Sequence, residues 1–162
     1  MQPTDFLDRL DALLVPLEYR RRITKGVSDQ WRVYRKGAYL FVAVPYSEVP
    51  SSDYENGYVK SEIRKIVFAV PLVAEKGLFL LHYGPEARWT AHKERHKVDK
   101  TALRPIIMQS IHFVDPESGA NYNSRTAWGP IKFGFCTGVI DRIERFCGEL
   151  GGPAAGHGTE TI

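Results

Sequence analysis

Two uninterrupted apolar runs, residues 39–46 and 66–73, constrain the fold more than any other feature of this chain. Each is far short of the roughly 20 residues that cross a bilayer. Each is long enough for a strand buried on both faces. The sequence around them is ordinary for a soluble globular domain: 162 residues, 43% hydrophobic and 25% charged. That composition excludes collagen-like, coiled-coil and wholly disordered chains. A chain this long buries enough surface to fold without metal or disulfide staples.

Periodicity assigns the remaining elements. Phe6, Leu7, Leu10, Leu13 and Leu14 recur at helical spacing behind Thr4 as N-cap, and Pro16 ends the pattern. From Trp31 the period shortens to that of a strand, with Lys36-Gly37 as a turn into the first apolar run. Residues 47–57 read as a polar loop, and strand character resumes at Tyr58, strongest over 65–73. The Glu75-Lys76-Gly77 turn then leads into a strand over 78–83. Residues 85–97 read as a helix, with Pro85 at its first position and Arg95, His96 and Lys97 at its negative end. A strand over 104–114 closes on the Asp115-Pro116-Glu117-Ser118-Gly119 turn, and 122–135 gives one or two more. Val139, Ile140, Ile143, Phe146 and Cys147 form the stripe of a last helix over 137–150.

The expected fold is therefore α+β: a curved antiparallel meander of about six strands, packed against an N-terminal, an inserted and a C-terminal helix. Residues 1–150 make one domain and 151–162 a flexible Gly-rich tail. Residues 41–46 faintly echo 67–72, each ending a β-rich stretch in Pro and a large apolar residue, but one echo is not a repeat array. The first residues lack a basic and then apolar leader, which points to the cytoplasm and away from a membrane. With the segment between them helical, Cys136 and Cys147 would stand about 16 Å apart, too far for a disulfide. Both read as reduced core residues.

The net charge is +3, yet residues 18–36 alone carry seven cations against two anions. Arg20, Arg21, Arg22, Lys25, Arg32, Arg35 and Lys36, interleaved with Trp31 and Tyr34, suit an anion-binding surface. An ordinary solvated hairpin can look the same. Arg88 and Trp89, in the inserted helix, extend that candidate surface, although Trp89 also suits a core anchor. The expected function is a non-enzymatic binding module that docks an anionic macromolecule, either an acidic protein or nucleic acid, through a basic hairpin and the adjoining sheet.

The alternative is a small-molecule binder or enzyme with a pocket on the concave sheet face. No cofactor is expected; within this alternative, His92 and His96, four apart on a helix, could hold a divalent metal. The zincin order is absent, because Glu94 does not follow the first histidine. His112, mid-strand with Gln109, Ser110 and Tyr83 nearby, could line the same pocket or simply sit in the core. Asp53, Glu55 and Asn56 lack the alternation of a calcium loop. The chain contains no nucleophile elbow, phosphate loop or dinucleotide fingerprint, and no catalytic residue is assigned.

Overall fold

The computed structural model describes residues 3–22, 28–71, 73–99, 104–125 and 137–151. Within them, six strands form one curved sheet whose spatial order is the chain order. These are β1 (Arg20–Arg22), β2 (Arg32–Lys36), β3 (Tyr39–Pro45), β4 (Lys76–Tyr83), β5 (Ile106–Val114) and β6 (Asn121–Arg125). Four α-helices accompany them: α1 (Pro3–Leu14), α2 (Gly57–Ile66), α3 (Glu86–Trp89) and α4 (Thr137–Leu150). The class is α+β, as the sequence suggests.

The sheet is mixed, which corrects the expected antiparallel meander. β1, β2 and β3 are antiparallel, as are β5 and β6, but β4 runs parallel to both β3 and β5. Parallel neighbours need a crossover, and α2 is one such crossover, occupying residues read as a strand from Tyr58. Val59 and Ile63, one helical turn apart, are fully buried against the sheet. The strand total still comes to six because β1, a run of three exposed arginines, enters the sheet unannounced by any apolar pattern.

The second apolar run is not a strand. Phe68 and Val73 are each 75% exposed, and the local pairing is a single bridge between Val70 and Ala74. The position beside β3 belongs to β4, which is buried along its whole length, so the run before it has no ladder to join. Pro71 could not donate to such a ladder in any case. The echo between 41–46 and 67–72 therefore carries no structural repeat: residues 41–45 belong to a central strand, and the described residues 67–71 form no named strand.

Alternation along β3 builds two cores. Phe41 and Ala43 face α1 and α4, joined by Phe6, Leu10, Ile140 and Phe146. Leu40, Val42 and Val44 face α2 and Trp89, joined by Val59, Ile63, Leu80 and Phe113. Both faces of the sheet therefore carry helices. Burial of each Val, Leu, Ile or Phe among them stabilises the fold by about 1.5–3 kcal/mol. The inserted helix is shorter than expected: α3 has four residues, and a separate 3-10 turn spans Lys93–Arg95. Trp89 is the one large apolar side chain of α3, and without a longer stripe nothing holds further turns on the sheet. Among the described residues, no helix is long and apolar enough to cross a membrane. Lys25, Cys136, the expected strand beyond Arg125 and the Gly-rich tail beyond Gly151 lie outside the described residues.

Candidate functional site

Strand register sorts the basic segment by face. Arg21 lies opposite Tyr34, whose ring belongs to the α1 side, and its guanidinium reaches Asp11 of α1 at 3.3 Å. Lys36, on the same side by alternation, meets Glu18 at 3.0 Å and donates to the Leu17 carbonyl. Arg32 is half-buried and donates to the Asp29 and Trp31 carbonyls.

Arg20 and Arg22 project to the other side of the sheet, with Arg20 directly across from Arg35. No carboxylate among the described residues pairs with Arg20, Arg22 or Arg35. Arg35 donates to the Gly37 carbonyl of the β2–β3 turn. Like charges directly opposite across a ladder repel. Among the described residues this face therefore keeps an uncompensated positive potential, next to the outer edge of β1, which no described strand pairs.

The aromatic members of the expected surface are withdrawn from it. Trp31 is buried, and its indole donates to Glu48 Oε2 at 2.7 Å while Ser28 Oγ donates to Glu48 Oε1 at 2.8 Å. Trp89 is buried on Phe113 and donates to the Gly84 carbonyl at 3.0 Å. Arg88 is exposed on α3, but Trp89 beside it packs on β5, three strands from β2 and about 14 Å away at ordinary strand spacing. Trp31 and Trp89 belong to one buried cluster on the α2 face of the sheet. Glu48, which orients Trp31, has no pattern in the sequence that marks it.

The histidines converge in a way their spacing does not suggest. His92 and His96 flank the 3-10 turn rather than sharing a helix face. His96 is buried, with Nε2 3.3 Å from the Tyr46 hydroxyl and Nδ1 3.4 Å from Asn56 Oδ1. Its ring lies 5.7 Å from that of His82, at the carboxyl end of β4, and 5.6 Å from Tyr54, which also approaches His92. His82 is fully buried, and neither ring nitrogen is hydrogen-bonded to a described residue. Burial, reinforced by His96, pushes the His82 imidazole down to about 3. Burial also lowers His96, against the pull of Asp53. Both are neutral near pH 7. No group of three or more His, Cys, Asp or Glu side chains suited to a metal ion occurs among the described residues.

On the opposite face, His112 Nε2 lies 2.9 Å from Ser110 Oγ. Both side chains are buried on the α4 side of β5, and burial with the nearby Arg125 charge pushes His112 down to about 3. Cys147 of α4 is buried too, its thiol pushed up to about 12 by burial and by Glu144. A thiol held protonated is a poor nucleophile. This pair and the cysteine have the chemistry of a satisfied core rather than of a site open to substrate.

Comparison with protein-family models, with curated proteins and with solved structures returns no match.

Proposed function

We propose that this protein is a binding module that docks an acidic segment of a partner protein along the β1 edge. The observation that carries the reading is the face-sorting of its arginines. Arg21 and Lys36 are neutralised from α1 and the turn after it, whereas Arg20, Arg22 and Arg35 have no described carboxylate partner. An exposed edge strand offers backbone donors and acceptors to an added strand. Arginines projecting from it would select an acidic one. Basic residues on an edge also discourage self-pairing, which suits a docking edge that must stay monomeric until its partner arrives. Nucleic acid is the less favoured partner because Trp31 and Trp89, the indoles that would stack on bases, are buried.

The test is fluorescence anisotropy with a labelled acidic peptide and a single-stranded oligonucleotide of equal charge. Replacing Arg20, Arg22 and Arg35 together by Ala should weaken peptide binding by about tenfold or more. Replacing Arg21 and Lys36 should leave it within about threefold. Equal losses in the two variants would refute the placement of the site. Tighter binding of the oligonucleotide would transfer the surface to nucleic acid.

A further inference from the structure

A second basic feature is built into the fold away from β1. Lys60 and Arg64 stand one turn apart on α2, and Arg104 approaches from the segment leading into β5. With Ser61, Pro105 and Ile106 they line a groove of about 350 Å³. Asp99 joins two of these cations. Lys60 Nζ donates to both Asp99 oxygens, at 3.0 and 2.8 Å, and Arg104 lies 3.5 Å from Oδ1. Oδ2 also accepts the Met108 amide of β5 at 2.7 Å, which fixes the carboxylate to the sheet.

The Lys60 and Asp99 side chains are only 13% and 9% exposed, so this pair is a built part of the molecule and not a passing surface contact. Lys60 and Arg104 share the Asp99 carboxylate and Arg64 lines the same groove, so these four side chains carry a surplus of two positive charges. At 3.5 Å the Arg104 contact with Asp99 is too long for a strong hydrogen bond, and no other carboxylate among the described residues pairs with Arg104. Arg64 is exposed and has no carboxylate partner among the described residues. Glu62, the acid within this part of α2, is engaged by Lys65 at 2.6 Å.

We propose that this groove binds a phosphoryl dianion, carried by Arg64 and Arg104 with Lys60 and Ser61 completing the donors. Two guanidinium forks match the geometry of phosphate oxygens. The apolar wall of Pro105 and Ile106 leaves room for a small organic group attached to the phosphoryl. Asp99 is a positioning residue: it holds Lys60 and Arg104 side by side without occupying their outer donors.

The experiment is an amide-shift titration of the full chain at constant ionic strength, with inorganic phosphate, adenosine monophosphate and adenosine as probes. Both phosphoryl probes should give saturable shifts at Ser61 and Ile106 in the millimolar range, and adenosine none. Equal affinities for the two would make the phosphoryl group the whole ligand. Tighter monophosphate binding would make the organic group part of it. Arg64→Gln, at an exposed position, should weaken binding by about tenfold while leaving the rest of the spectrum unchanged. The Arg20, Arg22 and Arg35 triple variant should retain the response, which separates this site from the β1 edge. Absence of saturable shifts, or an unaltered titration in both Arg64→Gln and Arg104→Gln, would overturn the proposal.

Discussion

Tyr34 ties the first strand pair to the N-terminal helix through one hydroxyl. The ring is fully buried, and its oxygen donates to Asp11 Oδ1 at 2.5 Å. Burial and the Asp11 carboxylate both raise the phenol, so it stays protonated and remains a donor throughout the stable pH range. A hydrogen bond to a charged acceptor contributes about 1.5–3 kcal/mol. Tyr34→Phe should cost that much in urea denaturation, whereas Arg21→Ala, which removes an exposed ion pair to the same carboxylate, should cost less than about 1 kcal/mol. The sequence marks Tyr34 only as an aromatic among cations. Its role depends on Asp11, 23 positions away, and no local pattern joins the two.

At the scale of elements, residues 57–75 decide the topology. Their first half has apolar positions at both strand and helix spacing, and Val59 with Ile63 settles on the helical one because α2 must cover the parallel pair β3 and β4. Their second half has the stronger strand propensity, and its described residues form no named strand. Ile63→Ala should lower stability by about 2–5 kcal/mol, the cost of a cavity beneath a crossover helix. Phe68→Ala should stay within about 0.5 kcal/mol, since that ring is mostly in solvent. Chemical denaturation of both variants distinguishes this arrangement from the meander, in which the two losses would be comparable.

For the whole molecule, the consequential feature is that three histidines lie in the two cores. His82 faces Tyr46, His96 and Phe113; His96 faces Tyr46, Tyr54 and Asn56 with Asp53 and His92 nearby; His112 faces Ser110 with Arg125 nearby. In the fold His82 and His112 titrate at about 3, against an ordinary value of 6.5. Between those limits the unfolded chain binds protons that the folded chain refuses. Stability is therefore undiminished above about pH 6.5 and falls as the pH drops toward 3, by up to about 1.4 kcal/mol per pH unit for each histidine. Denaturation midpoints measured across that range should show this acid limb. His82→Leu, which removes a fully buried imidazole with no hydrogen-bond partner among the described residues, should flatten it and raise stability at pH 5. A midpoint that is flat from pH 7 to pH 4 would contradict the buried neutral state.

What the sequence determined by itself are the elements whose signal is local: the leucine stripe of α1, the unbroken apolar run of β3, the apolar strand β5 with its Asp-Pro turn, and the stripe of α4. It also located the basic segment, because charge can be counted along a chain. Tertiary structure decided what depends on partners. It set the direction of β4, the strand state of the Arg20–Arg22 edge, the burial of Trp31 and Trp89, and the meeting of His82 with His96. It also split the arginines into paired and unpaired faces and brought Lys60, Arg64 and Arg104 into one groove. Local propensity fixes what a segment can be. Which strand takes the place beside β3, and so which side chains meet across the sheet, is set by competition for buried surface among residues far apart in the chain.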